Sequence, residues 1–118
     1  MANEITISHT LAYAKGTARA SLSASYKASQ TGSFYQAGIQ RVGTSPEETI
    51  DKGDIGTIGY AEFKNLDSTN FVRLGSASNV YTVKIKAGEG ALIPWNGSAV
   101  YALADTAAVD VEYLLIEA

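Results

Sequence analysis

The sequence predicts an all-β fold, an antiparallel β-sandwich or jelly roll of about eight to nine short strands. Two patterns favour it. Apolar and polar residues alternate along much of the chain, as they do in strands that bury one face. Turn-forming residues also recur about every 8 to 12 positions, a spacing typical of sandwiches and barrels. We expect no helix longer than a single turn.

Two long alternating segments open the chain and predict a β-hairpin. Residues 4–13 and 17–29 each place apolar side chains at every second position, and Lys15-Gly16 lies between them as a turn. Alanine is a good helix former and is common in the second segment. Its serines at every second position nevertheless fit a half-exposed strand better than a helix.

The remaining strands follow from the same alternation. Residues 47–54 form an acidic connection with room for one short strand, and Pro46 is placed to open a single helical turn. Residues 66–70 have the length of a longer hairpin loop. The other expected strands cover residues 34–42, 58–65, 71–75, 80–86, 90–95, 99–104 and 109–117.

The last third of the chain is its densest apolar stretch and predicts a continuous antiparallel meander. Val80 to Trp95 contains two strands around the turn-forming residues 87–90. Asn96-Gly97 is the strongest short hairpin signal in the sequence. Pro94 marks the end or the edge of its strand, because proline cannot donate a hydrogen bond within a sheet.

Composition limits the class of protein. At 118 residues the chain is expected to form one domain, residues 1–118. It has no cysteine, which excludes disulfides and thiolate zinc sites. No apolar run approaches the length of a membrane helix, and residues 1–10 do not resemble a signal peptide, so we expect neither a membrane partner nor secretion by that route.

The net charge is −3 and is unevenly distributed. Residues 1–46 contain four basic residues and one acidic residue, a net +3, whereas residues 47–118 contain five basic and eleven acidic residues, a net −6. A head-to-tail contact between copies would use this asymmetry. Alternatively, strands from both halves interleave and the asymmetry averages out in space.

No catalytic or cofactor motif is evident, and the sequence predicts a protein that is not an enzyme and needs no cofactor or metal. His9 is the only histidine, and its phase in the first strand indicates a packed or interface side chain. Glu62 with Glu112 is one of many carboxylate pairs that a glycosidase reading would allow. The acidic segment 47–54 offers oxygen ligands to calcium, although a solvated turn explains it better.

Nucleic-acid binding is not expected either. Arg19 and Lys27 lie on the polar face of the second strand, but no aromatic residue joins them there. The best candidates for contact with a partner are aromatic residues beside loops and the tip that begins at Pro94, since such side chains anchor protein contacts or stack on sugars. The candidate interface residues are Phe34, Tyr35, Pro94, Trp95 and Asn96.

The segment from Gly59 to Ala118 resembles small structural proteins of tailed bacteriophages. The resemblance rests on the order of three stretches, YAEFKNLDSTNFVRLG, VYTVKIKAGEGALIPW and ADTAAVDVEYLLIEA. It implies a β-sandwich or jelly roll in the virion, often a decoration or cement protein that clamps neighbouring coat subunits, commonly as a trimer. Such a protein would be made in the host cytoplasm and would have the major capsid protein or another virion protein as its partner.

Other functions stay open at this point. Related small sandwiches serve in head-to-tail connectors, tails and fibres. A carbohydrate- or receptor-binding module would use Trp95 or Tyr35 as its stacking residue. A small enzyme would have to work through carboxylates, because the sequence lacks a second histidine and any nucleophile motif.

Overall fold

The computed structural model describes residues 3–118 and confirms the all-β prediction. The described residues form ten antiparallel strands and no helix, and hence no helix that could cross a membrane. The chain divides into two compact units, residues 1–31 and residues 32–118, which are described in turn. The expectation of a single domain stays a prediction.

The first unit is the predicted hairpin. Strand β1 (Ile5–Lys15) pairs with β2 (Ala18–Ala28) over eleven residues each. The pairing of Lys15 with Ala18 leaves a two-residue turn, in which Gly16 adopts a φ of +60°. Two-residue hairpin turns require such positive φ values, which glycine adopts without a steric penalty.

The second unit contains eight strands in two four-stranded sheets. One sheet has the order β3-β10-β5-β8 and the other has the order β4-β9-β6-β7. Counted from one to eight within this unit, the orders are 1-8-3-6 and 2-7-4-5, the strand order of a jelly roll. The strands are β3 (Tyr35–Val42), β4 (Glu48–Thr49), β5 (Ile58–Asn65), β6 (Val72–Gly75), β7 (Val83–Ile85), β8 (Gly90–Gly97), β9 (Tyr101–Ala104) and β10 (Val109–Glu117).

One hydrophobic core lies between the inner faces of the two sheets. Phe63 of β5 and Leu115 of β10 enter it from the first sheet, and Leu74 of β6 enters it from the second. Each is at most 1% exposed. Along β10 the buried residues alternate with exposed ones, so this strand presents one face to the core and the other to the surface.

The predicted meander is wrong. In the last third of the chain, β7 pairs with β6 rather than with β8, and β8 pairs with β5 in the opposite sheet. β8, β9 and β10 then alternate between the two sheets. Residues 66–70 likewise connect strands of different sheets. The cause is that the connections β5-β6, β7-β8, β8-β9 and β9-β10 each join strands of different sheets, as in a jelly roll. Alternation alone does not specify which strand becomes the neighbour.

Two local predictions, the hairpin turn at Asn96-Gly97 and the helical turn at Pro46, are wrong. Asn96-Gly97 forms no hairpin turn, because both residues lie within β8 and neither has positive φ; Gly97 pairs with Ile58 instead. The helical turn at Pro46 is absent, and the Ser45–Pro46 peptide bond is cis. By contrast, Pro94 lies in an edge strand, as expected for proline in a sheet.

Candidate interaction surface

The outer side of the sheet β3-β10-β5-β8 carries a row of apolar and aromatic residues. Tyr35 on β3 lies opposite Ile116 on β10, Ile116 lies opposite Tyr60 on β5, and Tyr60 lies opposite Pro94 on β8. Directly opposed residues share one face of a sheet, with Cβ atoms about 5 Å apart. This row therefore brings Tyr35 and Pro94, two of the predicted interface residues, onto one surface.

Two further rows extend the surface along the strands. In the next row Leu114 lies between Ala37 and Glu62, and Glu62 in turn lies opposite Leu92. In the row after that, Glu112 lies between Ile39 and Lys64. We call these three rows the outer face; it consists of Tyr35, Ile116, Tyr60, Pro94, Ala37, Leu114, Glu62, Leu92, Ile39, Glu112 and Lys64.

The outer face exposes large apolar side chains. Tyr35 is 71% exposed and Ile39 is 62% exposed on β3, and Leu114 on the neighbouring strand β10 is 37% exposed. An open depression of about 610 Å³ lies along the same strands and is lined in part by Ile39, Leu114 and the two glutamates. Contiguous exposed apolar surface with a polar border marks sites of contact with partners.

Charged residues surround the apolar centre in a partly balanced arrangement. Lys64 lies directly opposite Glu112, and Arg41 forms an ion pair with Asp110 at 3.4 Å at the end of the same strands. Both members of that ion pair are largely exposed, so it contributes little to stability. Glu62 lies between Leu114 and Leu92 in the middle row of the outer face.

A carboxylate at the end of β10 positions the start of β3. Glu117 accepts hydrogen bonds from the backbone N–H groups of Gly56 at 3.0 Å, Ser33 at 3.0 Å and Phe34 at 3.3 Å. These donors hold the pKa of the Glu117 carboxyl below its ordinary value. The loop that carries Phe34 and leads into Tyr35 is thereby tied to the last strand of the sheet.

The other predicted interface residues are placed differently. Trp95 is half-buried and packs against the core, where its ring makes an edge-to-face contact with Phe63, the ring centroids lying 6.1 Å apart. Its indole N–H donates to the Ala99 carbonyl at 3.2 Å. Asn96 is exposed, and Phe34 is 46% exposed. The assignment of all five residues to an interface stays a prediction.

The acidic segment 47–54 uses its carboxylates in separate hydrogen bonds. Glu47 accepts from the Tyr81 hydroxyl, the Asn79 backbone N–H and the Ser78 hydroxyl, which together lower its pKa. Glu48 accepts from the Gly43 backbone N–H at 2.8 Å. Among residues 3–118, no group of three or more acidic or histidine side chains is placed to hold a metal ion.

The residues considered for chemistry lie on different elements. His9 is exposed on β1 and makes an edge-to-face contact with Tyr26, the ring centroids lying 6.3 Å apart. Glu62 and Glu112 line the depression on the outer face. Arg19 and Lys27 are exposed on the hairpin, on its polar face. The prediction that the chain is not an enzyme is untested.

The sequence reasoning missed Tyr60, Leu114, Ile116 and Ile39 as surface residues. A signal existed in β10, because Leu114 and Ile116 fall out of phase with the buried Val111, Tyr113 and Leu115. Two apolar residues in the polar phase of a strand indicate an apolar patch on the outer side of the sheet.

Comparison of the chain with protein-family models, with curated proteins and with solved structures finds no significant match. The feature of the jelly roll that bears on function is its exposed apolar outer face.

Proposed function

We propose that this chain is a non-enzymatic structural protein of a tailed-phage virion, a decoration or cement protein that binds the assembled capsid and stabilises it. The observation that carries the proposal is the outer face, where Tyr35, Ile39 and Leu114 remain exposed on a four-stranded sheet. A protein that works by contact needs such a surface and needs no catalytic pocket.

The physical case rests on the cost of leaving this face in water. Burial of apolar surface contributes roughly 25 cal/mol for each Å² removed from water. Tyr35 and Ile39 lie at the edge of the sheet and are more than half exposed, so a partner could cover both without rearranging the core. Aromatic anchors of this kind dominate the energetics of protein interfaces.

Two further observations support the same class of function. The jelly roll is a fold of viral capsid proteins, although it also occurs in lectins, so the fold alone does not decide between them. In addition, the segment from Gly59 to Ala118 resembles small structural proteins of tailed phages. This segment supplies three of the four strands of the outer face, β5, β8 and β10.

The proposed stabilisation of the capsid depends on many copies of the protein binding one particle. A ligand that binds the assembled shell but not its separated subunits shifts the equilibrium towards the shell by mass action. Each contact need contribute only a few kcal/mol, because many copies act on one particle and each copy bridges neighbouring coat subunits. A trimer would place three outer faces around one symmetry axis of the lattice.

The proposal is tested by adding the purified protein back to capsids that were assembled without it. We expect co-sedimentation with the shells and a higher disruption temperature. Tyr35→Ser with Ile39→Ser should abolish both effects. Val80→Ser is the matched control, because Val80 is 53% exposed in the connection between β6 and β7, away from the outer face. Failure of the unmodified protein to bind would overturn the proposal.

The second candidate function is a carbohydrate- or receptor-binding module. Tyr35 and Tyr60 share one row of the outer face, and tyrosine rings can stack on sugars. Trp95 is less suited to this role, because its ring packs against the core. A glycan array should be blank under the first proposal, whereas binding that is lost in Tyr35→Ala but retained in Trp95→Phe would favour the second.

A further inference from the structure

The sheet β4-β9-β6-β7 carries two positively charged side chains next to each other on its outer side. Arg73 on β6 lies directly opposite Lys84 on β7, so both project from the same face of the sheet. That face points away from the core, because Val72 and Leu74, the neighbours of Arg73 in the strand, are fully buried. We call Arg73 and Lys84 the basic pair.

The chain does not neutralise the basic pair. Within residues 3–118, the structure contains an ion pair between Arg41 and Asp110 in the other sheet, and none that involves Arg73 or Lys84. Like charges that lie directly opposite each other on two strands are destabilising. The Nε atom of Arg73 is also shielded from solvent and has no hydrogen-bond partner among the described residues. These residues therefore supply neither a counter-charge for the pair nor an acceptor for this N–H group.

Aromatic rings position both cations. The guanidinium carbon of Arg73 lies 5.2 Å from the centroid of the Tyr81 ring. The ammonium nitrogen of Lys84 lies 4.2 Å from the centroid of the Phe71 ring. Such contacts attract a cation through the face of the ring and leave its N–H donors free to bind an acceptor. Arg73 also lies opposite Leu103 on β9, so apolar side chains border the pair and weaken the screening of its charge by water.

Two carboxylates lie near these rings, and they limit the kind of anion that fits. Glu47 accepts the hydrogen bond of the Tyr81 hydroxyl. Asp105 follows β9, and its backbone N–H donates to the Phe71 carbonyl at 3.3 Å. With these acids nearby and a net charge of −3, the protein disfavours a polyanion such as a nucleic acid. Separate carboxylates fit better, because a guanidinium and an ammonium group can each pair with one.

We infer that the basic pair binds the carboxylates of an acidic segment in a partner protein. The guanidinium fork of Arg73 would hold one carboxylate, and the ammonium group of Lys84 would hold a neighbouring one. Two adjacent cations that are positioned on aromatic rings and have no counter-charge form one half of a charge-complementary contact. An acidic segment supplies the other half.

This inference goes beyond the proposed function, and the two can fail separately. The basic pair lies on the sheet β4-β9-β6-β7, whereas the outer face lies on the sheet β3-β10-β5-β8. A protein that binds capsids through the outer face but does not bind acidic peptides would refute only the inference. A protein that binds acidic peptides but not capsids would refute only the proposed function.

The test is a titration of the full chain with a blocked peptide of three glutamates, followed by NMR of the N–H groups of the protein. We expect saturable shifts of the amide signals of β6 and β7, and weaker binding at higher salt. Arg73→Gln and Lys84→Gln should each weaken binding by about tenfold, as expected for the loss of a charged hydrogen bond. The matched controls Arg41→Gln and Lys64→Gln, on the other sheet, should leave binding unchanged.

The Nε–H signals of the arginines keep the test independent of whether the variants fold. In the unmodified protein, the signal of Arg73 should shift when the glutamate peptide is added, whereas those of Arg19 and Arg41 should not. A peptide of three glutamines should shift none of them. The inference would be overturned by the absence of saturable binding, by equal shifts at all three arginines, by binding that survives both substitutions in the basic pair, or by inorganic phosphate binding more tightly than the glutamate peptide.

Discussion

Phe34 and Glu117 hold each other through two hydrogen bonds of opposite direction. The Phe34 backbone N–H donates to the Glu117 carboxylate at 3.3 Å, and the Glu117 backbone N–H donates to the Phe34 carbonyl at 3.0 Å. The pair joins the segment that enters β3 to the end of β10. The position of Tyr35, the most exposed large residue of the outer face, therefore depends on a carboxylate at the opposite end of the jelly-roll sequence.

Glu117→Gln should lower the free energy of unfolding at neutral pH, because the neutral amide is a weaker acceptor for the three backbone N–H groups. The folded-state pKa of Glu117 lies below its ordinary value of 4.5, so its contribution is complete above about pH 4.5 and is lost as the pH falls through the folded-state pKa. Urea denaturation over this range should find a difference between variant and parent that shrinks on acidification. A difference that grows on acidification would refute this role.

Tyr81→Phe should also destabilise the protein, with a different pH dependence. The Tyr81 hydroxyl donates to the Glu47 carboxylate, which raises the pKa of Tyr81 above 10.0 and lowers that of Glu47 below 4.5. The raised pKa of Tyr81 contributes stability that is fully present below about pH 10 and is lost as the pH rises through the folded-state pKa. The lowered pKa of Glu47 contributes stability that is fully present above about pH 4.5 and is lost as the pH falls through its folded-state pKa.

The difference in unfolding free energy between Tyr81→Phe and the parent should thus be largest between about pH 5 and pH 9 and should decrease on both sides. Urea denaturation across the pH range measures it. Tyr101→Phe, on β9, is the control. A difference that is independent of pH would show that the hydroxyl acts without the Glu47 carboxylate.

Adjacent leucines in β10 provide a test of the alternation. Leu115 is fully buried and Leu114 is 37% exposed. Leu115→Ala should destabilise the fold by about 2 to 5 kcal/mol, through lost burial and the cavity left behind. Leu114→Ala should cost about 1 kcal/mol or less in stability and should instead weaken binding to the partner. Equal losses of stability by urea denaturation would contradict the assignment of the two faces.

Two glycines in strands should differ in their tolerance of alanine. A Cβ on Gly75 would lie 1.7 Å from the Val80 carbonyl oxygen, a backbone atom that cannot move without distorting the connection between β6 and β7. On Gly38 the nearest atom would be the Tyr113 hydroxyl oxygen at 3.5 Å, an ordinary contact. Thermal unfolding should find Gly75→Ala destabilised by roughly 1 to 3 kcal/mol or more, and Gly38→Ala close to the parent.

The sequence predicted the strands better than their partners. The bounds of β5 and β10 agree with the alternation, and the hairpin β1-β2 is where two strict patterns flank a glycine turn. The pairing of β8 with β5 could not be predicted in the same way. Alternation specifies which face of a strand is buried, whereas the neighbour is set by contacts between residues about thirty positions apart.

The candidate surface was predicted in part for a similar reason. Tyr35 was identified because it lies beside a loop, and Pro94 because it begins the expected tip that ends at Asn96-Gly97. Their common row depends on the two strands between them, β10 and β5. Trp95, adjacent to Pro94, faces the core because neighbouring residues in a strand point to opposite sides. Without the sheet order, the sequence could not show that Pro94 lies on the outer face whereas Trp95 faces the core.

The most direct test of the proposed function is made on purified particles of a phage whose genome encodes this chain. The copy number of the chain is measured there by quantitative mass spectrometry against the major capsid protein. We predict many copies per particle, in a fixed ratio to the coat protein and associated with heads rather than tails. Particles that contain no copies of the chain would contradict the account, and copies confined to tails would exclude the decoration role.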